Sequence, residues 1–267
     1  MLVNNNIKIY HSFWDLGYSE LTDNLYNMHK LSALLALKNY GNITLITTKK
    51  GLEFLKGIPY TNIELFEDEI DPKLKNTWSI SKIYAYKQIA KKKEPFLHID
   101  YDVFLFKKLP EWFNSSKIVT QNIEDFKRVR TAYDLNKFFN NCPNTGIINP
   151  NIRYACNMGI FGGSDFKFFN LYTKKTLELV LNEENRINYW ENKNLKTTAR
   201  AVILEQYMLV NCLEFFNKKM TTLFKTTEPK ENVAKKLGYT HLMGSKEEKK
   251  ILNKVNETLK LYDLSLQ

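Results

Sequence analysis

The sequence lacks the features of a membrane-spanning or exported chain. Although 43% of its 267 residues are hydrophobic, no continuous apolar run is long enough to cross a bilayer. The amino-terminal segment, MLVNNNIKIYHSFWDLG, has no basic start, apolar middle or small-residue cleavage site, so no signal peptide is predicted. We therefore expect a cytoplasmic protein, and we leave open a peripheral contact with an anionic membrane.

The sequence also has few cysteines. Cys142, Cys156 and Cys212 are widely spaced and odd in number, which predicts neither a disulfide framework nor a zinc site. Reduced thiols suit a cytoplasmic location. Signatures of zinc fingers, RNA-recognition modules and helix-turn-helix motifs are absent as well, so no nucleic-acid partner is expected.

Acidic residues are outnumbered by basic ones. The chain has 29 Asp and Glu against 39 Lys and Arg, a formal net charge of +10. Such a balance suits an anionic substrate, an anionic membrane surface or nucleic acid, but also an ordinary lysine-rich surface. Charge alone therefore does not separate these classes. The length and apolar content suit one domain over residues 1–267.

Strand and helix patterns alternate along the first part of the chain. Short apolar runs predict strands at Ile7–Tyr10, Ile43–Thr47 and Ile63–Phe66, separated by helices at Asn24–Lys38 and Lys50–Lys56. This order predicts an α/β fold, in which helices flank a parallel sheet with right-handed crossovers.

The later part of the chain is predicted to be less regular. Residues 125–155 and 182–198 are polar, and we interpret the first as a substrate-facing loop and the second as a linker. Around them the patterns predict three helices and two strands: Ser79–Lys91, Phe166–Leu181, Ala199–Phe216, Lys117–Asn122 and Tyr154–Asp165.

The strongest candidate for a site is the segment PFLHIDYDVFLFKKLP. Phe96–Ile99 predicts a strand buried on both faces, and ligands of open α/β sheets bind outside the carboxyl ends of such strands. On an extended backbone, Asp100 and Asp102 project to the same face, roughly 6–7 Å apart. Their oxygens favour Mg²⁺ or Mn²⁺. The competing interpretation is a turn or helix cap, which many such pairs form.

Two further candidates lie on predicted helices. Glu205 and Gln206 sit within an apolar helical stripe, where a carboxylate is costly unless it is paired or faces a cavity. We favour the cavity over a structural hydrogen bond. Lys82 is interpreted as a surface lysine, with a phosphate or nucleotide contact as the alternative.

Glycines and a histidine mark two more stretches. Asn157 and Gly159 belong to a glycine-rich strand, which indicates close approach of a ligand or backbone, or simply a tight turn. His241, Gly244 and Lys246 surround a capping-box helix start, where free N–H groups favour anions. A lone histidine is more often structural than a ligand, but here the three residue types converge.

Together these stretches resemble GT-A-fold glycosyltransferases, most of all the family 8 group that includes glycogenin and lipopolysaccharide galactosyltransferases. Four segments carry the resemblance in order and spacing: FLHIDYDVFLFKKL, NMGIFGG, LEQYMLV and HLMGSKE. It implies a GT-A (Rossmann-like) mixed, mainly parallel sheet. It also implies a metal-dependent hexosyltransferase that moves sugar from a nucleotide sugar, most often a UDP-sugar, to a hydroxyl of a glycan, glycolipid or protein.

The resemblance also implies roles for the candidate residues. Asp100, Asp102 and His241 would bind Mn²⁺ (or Mg²⁺). The nucleotide sugar would contact Tyr10, His11, Ser12, Lys82, Asp100, Asn157, Gly159, Gly244 and Lys246, and Glu205 and Gln206 would be the catalytic pair. Residues 1–124 would bind the nucleotide, 125–244 would bind sugar and acceptor, and 245–267 would form a final helix.

The sequence departs from the family pattern in three places. Lys246 comes two positions after Gly244, one earlier than in the family, and Tyr207 replaces an acidic residue. The family's Pro-Trp after the lysine is absent. We therefore assign no stereochemical outcome, and Glu205 could instead serve as an inverting general base.

Two other classes of protein fit parts of the sequence. The segment HIDYDVF also resembles the first motif of haloacid-dehalogenase-like phosphatases, but no convincing late acidic pair follows Asp165. A non-catalytic basic domain that binds nucleic acid or an anionic membrane is the third class. It would need no metal, and its binding would be salt-sensitive.

Overall fold

The computed structural model describes residues 7–125, 127, 133–225, 231–243 and 248–264. Its strands are β1 Lys8–Phe13, β2 Thr44–Thr47, β3 Asn62–Leu65, β4 Phe96–Ile99, β5 Val103–Leu105, β6 Ile118–Glu124, β7 Ala155–Gly163, β8 Thr221–Thr222 and β9 Tyr239–His241.

The helices flank these strands in sequence. They are α1 Asp23–Tyr40, α2 Lys49–Phe54, α3 Ile80–Lys91, α4 Glu111–Asn114, α5 Leu135–Asn141, α6 Phe166–Leu181, α7 Glu183–Asn185, α8 Thr197–Val202, α9 Met208–Phe215, α10 Glu231–Leu237 and α11 Lys249–Leu264. Short 3₁₀ turns cover Asp15–Gly17 and Pro72–Asn76, and π-helical turns cover Arg186–Trp190 and Ile203–Tyr207.

Seven strands form the central sheet, in the order β3-β2-β1-β4-β7-β6-β8. Strands β3, β2, β1 and β4 are parallel, and β8 is parallel to β6. Strand β7 runs antiparallel to both its neighbours, β4 and β6. The predicted fold class, a mixed and mainly parallel sheet flanked by helices, is confirmed.

Both faces of β4 are buried, as its apolar sequence predicts. Phe96 packs in the cluster formed mainly with α3, α6 and α9, whereas Leu97 and Ile99 pack in the cluster on the opposite face. This alternation follows from the two-residue period of a strand. The central strand therefore ends at the middle of the sheet with helices above and below it.

Local signals set several helix ends. The Thr22 side chain caps α1 by accepting from the Leu25 N–H, and Gly41 ends the helix in the left-handed region at φ 72°. The Asp165 carboxylate accepts from the Phe168 N–H at 3.0 Å, so the predicted cap of α6 is confirmed.

Three predicted boundaries need correction. The segment 125–155 contains α5, and the predicted linker 182–198 contains α7 and a π-helical turn whose Tyr189 and Trp190 are buried. The two aromatic residues are adjacent and flanked by polar residues, so a periodicity count does not reveal their burial. The helix predicted at Ala199–Phe216 begins earlier, at Thr197, and is interrupted by the turn Ile203–Tyr207.

Two compositional expectations can be compared with the structure. Cys142, Cys156 and Cys212 are buried and free of disulfides. Within the described residues, no helix combines the length and the apolar character that crossing a bilayer requires.

Candidate active site

The acidic pair, Asp100 and Asp102, lies beyond the carboxyl end of β4, the middle strand of the central sheet. Asp100 follows β4 directly, and its N–H donates to the Gly159 carbonyl of β7 at 2.9 Å. A turn then begins, in which the Val103 N–H donates to the Asp100 carbonyl at 2.9 Å. The predicted extended backbone across Asp100 and Asp102 is therefore wrong, because the turn rather than the pleat directs the two carboxylates.

His241 joins the pair through a separate two-stranded sheet. Strand β9 runs antiparallel to β5, with His241 opposite Val103, and the Leu242 N–H donates to the Asp102 carbonyl at 3.1 Å. Nε2 of His241 is 3.5 Å from Oδ1 of Asp102. One ligand atom each from Asp100, Asp102 and His241 lies within 4.8 Å of the others.

This donor set fits a divalent cation. Two carboxylates held close together repel each other unless a positive charge lies between them. Side-chain exposure is 5% for Asp102 and 8% for His241, so water screens the charge of Asp102 poorly. Carboxylate oxygens and an imidazole nitrogen are ligands that suit Mn²⁺, with Mg²⁺ favoured when water fills the remaining positions.

Lys82, on α3, lies between Asp100 and Glu205. Its Nζ lies 2.6 Å from Asp100 Oδ1 and 3.1 Å from Glu205 Oε1, and its side chain is only 12% exposed. The prediction of a surface lysine is therefore wrong. Burial acts to lower the pKa of Lys82, but the two neighbouring carboxylates outweigh it and raise the pKa above its usual range.

Glu205 is enclosed rather than open to a cavity. It is 0% exposed, and its carboxylate accepts from the Tyr86 hydroxyl at 3.0 Å in addition to Lys82. The predicted cavity-facing carboxylate is therefore wrong, and the alternative of a buried hydrogen bond applies. Burial raises the pKa of Glu205 to about 7 against the lowering effect of Lys82. Glu205 lies on a π-helical turn, a feature common at functional sites.

The charges of this cluster do not balance. In the part of the chain that the structure describes, it combines three carboxylates, Asp100, Asp102 and Glu205, with the ammonium of Lys82. Burial is also the main cause that raises the pKa of Asp100, opposed by Lys82. The deficit of positive charge is what a bound divalent cation would supply.

A second network of hydrogen bonds lies beside the candidate cation site. Asn157 accepts from the Gly159 N–H at 3.0 Å and donates to Glu124 Oε1 at 3.3 Å. The Tyr133 hydroxyl lies 2.8 Å from Glu124 Oε2 and 2.6 Å from Gln206 Oε1. The structure thus links the predicted residues Asn157 and Gln206 through two side chains that the sequence analysis did not identify.

Gly159 has a steric reason to be glycine. A Cβ atom there would lie 2.5 Å from the His241 ring and 2.6 Å from Gln121 Oε1, closer than real Cβ contacts allow. The groups that approach Gly159 are thus two side chains, the His241 imidazole and the Gln121 amide, and not the ligand or backbone that the sequence pattern predicts.

The residues predicted at the end of the first strand lie within it. The first strand is predicted to end at Tyr10, but β1 continues to Phe13, so this predicted end is wrong and Tyr10 and His11 lie inside the strand. His11 is buried, and its Nε2 lies 3.0 Å from Ser32 Oγ. Burial lowers the pKa of His11 to about 3, which keeps the ring neutral. Ser12 is partly exposed and lies closer to the edge.

Two predicted diphosphate contacts, Gly244 and Lys246, lie outside the described residues. The same is true of Ser245, the first residue of the predicted capping box. Of the residues that sequence reasoning missed, Gln121, Glu124 and Tyr133 are all buried. A signal was available for Gln121, because it is a polar residue inside the predicted strand Lys117–Asn122, whereas Glu124 lies beyond the predicted end of that strand.

A cleft of about 730 Å³ is lined by His241 and by the neighbouring residues of β9, Tyr239 and Thr240. Its walls are largely apolar and include Phe104, Phe224 and Val255, while Lys107 and Lys254 also line it. The cleft therefore brings an apolar surface with basic groups to the edge of the candidate cation site.

Comparison with known proteins gives one family and several structural similarities. A family of unknown function (DUF6734) matches residues 7–263. No curated protein matches the sequence.

The structural similarities include three glycosyltransferases. Mouse xyloside xylosyltransferase 1 in its apo form is 9% identical, with 81% of this chain and 84% of that chain covered and a TM-score of 0.42. A glycosyltransferase involved in glycosylation of the major capsid of PBCV-1 is 12% identical, with 95% and 98% covered and a TM-score of 0.45. The glycosyltransferase GlyE of Streptococcus pneumoniae TIGR4 is 10% identical, with 75% and 43% covered and a TM-score of 0.38. Because these TM-scores lie below 0.5, the similarities carry no conclusion about function.

Proposed function

The chain belongs to the DUF6734 family of unknown function, and we propose that it is a metal-dependent glycosyltransferase of the GT-A type. One observation carries the proposal: the fold brings His241, from a distant part of the chain, to the acidic pair Asp100 and Asp102, and the three ligand atoms lie within 4.8 Å of one another. They do so at the carboxyl end of the central strand β4, where ligands of open α/β sheets bind.

The strand order supports a nucleotide site at the same place. Strands β1, β2 and β3 succeed each other to one side, and β4 lies on the other side of β1. The crevice between the carboxyl ends of β1 and β4 is therefore the point where the strand order reverses, which is the usual position of a nucleotide in such sheets. The Asp100 carboxylate lies directly beside this crevice.

Sugar transfer fits the charge of the site. The bond between the sugar C1 and the terminal phosphate oxygen breaks, its electron pair leaves with the diphosphate, and a new bond forms between C1 and the acceptor oxygen. The acceptor's proton goes to the departing diphosphate oxygen or to water. A bound divalent cation would neutralise the charge that develops on the diphosphate.

The protein's own side chains have distinct roles in this proposal. Asp100, Asp102 and His241 would hold the cation. Lys82 fixes the orientation of Asp100 through their 2.6 Å ion pair. Because the Glu205 carboxylate is fully buried and already paired, we assign it the role of holding Lys82, not that of a general base.

The sugar would lie beside the second network. Asn157 and Gln206 are joined through Glu124 and Tyr133, and the Gln206 side chain is partly exposed. Amide and carboxylate groups can hydrogen-bond sugar hydroxyls. By resemblance the donor is a UDP-sugar, and the acceptor is a hydroxyl of a glycan, glycolipid or protein.

The proposal is tested by titrating UDP into the protein and measuring both calorimetric binding and the melting temperature, with Mn²⁺ and with EDTA. UDP should bind in Mn²⁺ and should stabilise the fold by about 2.7 kcal/mol at a hundredfold excess over its dissociation constant. Asp102→Asn should abolish the Mn²⁺-dependent part. Asp68→Asn, which changes a half-exposed carboxylate paired with Lys87, should behave as the wild type.

Two results would contradict the proposal. UDP, GDP and CMP could all fail to bind with or without Mn²⁺, or nucleotide binding could persist unchanged in Asp102→Asn. Metal-dependent hydrolysis of simple phosphate esters without any nucleotide binding would instead favour the phosphatase alternative.

A further inference from the structure

We propose that Gln121 is a positioning residue that fixes the protonation form of His241, so that the Nε2 lone pair of the imidazole faces the candidate cation site. The inference rests on the proposed function, because it assigns His241 to a metal. Gln121 lies on β6, is 2% exposed, and is not itself among the three candidate ligands Asp100, Asp102 and His241.

The orientation of the Gln121 amide is determined by its neighbours. Asn122 Nδ2 donates to the Ile123 carbonyl at 3.0 Å, and a carbonyl can only accept. The oxygen of the Asn122 amide is therefore the atom that accepts from Gln121 Nε2, at 3.0 Å. Gln121 is left with its own oxygen, Oε1, directed at His241.

That oxygen determines which imidazole nitrogen carries the proton. His241 Nδ1 lies 2.7 Å from Gln121 Oε1, and since the amide oxygen only accepts, Nδ1 must donate. The Tyr239 hydroxyl donates to the same oxygen. A neutral imidazole with a proton on Nδ1 has a lone pair on Nε2, which is the form that binds a metal.

The second nitrogen then meets an acceptor. Nε2 of His241 lies 3.5 Å from Asp102 Oδ1. A lone pair and a carboxylate oxygen at this distance repel each other unless a cation or a proton lies between them. Gln121 therefore stabilises the arrangement of His241 that a cation between His241 and Asp102 requires, as outer-shell hydrogen bonds do for metal-binding histidines.

The backbone around this contact is irregular in a way that makes room for it. The pairing of β6 with β7 shifts register between Thr120 and Asn122, with Gln121 in between. Gly159 lies on the opposite strand at this point, and any Cβ there would collide with both the His241 ring and Gln121 Oε1. Bulged strands commonly redirect side chains next to active sites.

The first test is to measure Mn²⁺ affinity without nucleotide, by calorimetry or by the electron paramagnetic resonance signal of free Mn²⁺. Gln121→Met keeps the length of the side chain and removes the acceptor, so affinity should fall roughly 10- to 100-fold. Gln88→Met is the matched control, because Gln88 is also a buried glutamine but hydrogen-bonds to Glu64 on another face of the protein. It should bind Mn²⁺ as the wild type does.

The second test needs no variant that could fail to fold. In metal-free wild-type protein labelled with ¹⁵N-histidine, the His241 resonances are identified by their loss in His241→Ala. At about pH 9, well above the usual imidazole pKa, the neutral ring should carry its proton on Nδ1 and none on Nε2. A neutral ring with its proton on Nε2 would overturn the inference, and so would an unchanged Mn²⁺ affinity in Gln121→Met. A wild type that binds no Mn²⁺ would refute the proposed metal site, whereas the histidine spectrum would still decide the role of Gln121.

Discussion

At the scale of single residues, the site depends on charges that are buried and incompletely balanced. Lys82 bridges Asp100, one of the three candidate ligands, and the fully buried Glu205. Buried ion pairs gain little net stability over an apolar core, but removing one partner leaves a buried charge that costs several kcal/mol. Such a cluster is better explained by a requirement for charge at this point than by a contribution to stability.

The folding stability of the metal-free protein should reflect this burial through Glu205. Burial raises the pKa of its carboxyl from the usual 4.5 to about 7. Between these pH values the folded protein holds a proton that the unfolded chain has released, so stability falls as pH rises through this window. As pH rises through this window, the wild type should lose up to roughly 3 kcal/mol of unfolding free energy more than Glu205→Gln does, because the glutamine side chain cannot titrate.

Urea unfolding in EDTA at several pH values between about 4.5 and 7 measures this difference. Glu178→Gln is a suitable control, because it removes a half-exposed carboxylate of α6 that pairs with Lys175. Its stability curve should run parallel to that of the wild type. If the Glu205→Gln curve were also parallel, the raised pKa of Glu205 would be wrong.

How much of the candidate site the sequence predicts depends on how far apart along the chain the residues of the site lie. Asp100 and Asp102 are recognisable because one short segment carries both the strand and the acidic pair. Lys82 and Glu205 are 123 residues apart, and neither local pattern indicates that they meet. The same holds for Gln121 and His241, whose separation is 120 residues. Tertiary pairing is thus the information that the sequence alone did not provide.

At the scale of elements, the start of α6 shows how one side chain can both cap a helix and form an ion pair. Asp165 caps α6 and also receives Lys218 Nζ at 2.7 Å. Burial acts to raise the pKa of Asp165, but hydrogen bonds from Lys218 and from the Phe168 N–H outweigh it and lower the pKa. The carboxylate therefore stabilises the fold at neutral pH, and this stabilisation is lost as pH falls into the acidic range.

Asp165→Ala should cost about 1–2 kcal/mol of unfolding free energy, because it removes both the cap and a partly exposed ion pair. Asp165→Asn keeps an oxygen that can cap the helix and should cost less than half as much. Urea unfolding at neutral pH compares the two. Equal losses in both variants would mean that the charge, not the cap, is what matters.

Two kinds of element are predicted well: an amphipathic helix closed by a capping residue, and a strand that is one continuous apolar run. The helix Phe166–Leu181 and the strand Phe96–Ile99 were predicted with their observed ends. Strand β9 was missed because three residues are too few to show alternation, and its position depends on pairing with β5. Helix α5 was missed because Asn and Lys dilute its apolar residues, although Phe138 is fully buried.

At the scale of the whole molecule, one sheet separates two apolar layers and carries the site at its edge. Strands β4 and β7 are buried along their whole length, whereas β3 at the sheet edge is mostly exposed. The centre of the sheet is therefore held by packing on both faces, and the edge by pairing on one side alone.

Native-state hydrogen exchange should show this gradient. Backbone amides of β4 and β7 should exchange only through global unfolding, with opening free energies equal to the unfolding free energy from urea titration. Amides of β3 should open locally at clearly lower free energy. Equal protection of β3 and β4 would contradict the gradient and would indicate that the edge strand unfolds only together with the core.

The pairing of β5 with β9 has a consequence for how the protein is made. Asp100 and Asp102 leave the ribosome well before His241, which comes late in the chain and is brought to them by β9. A nascent chain can therefore fold its first strands while the candidate cation site is still open on one side. The site is completed only when β9 pairs with β5, so products of interrupted synthesis carry the acidic pair without the histidine.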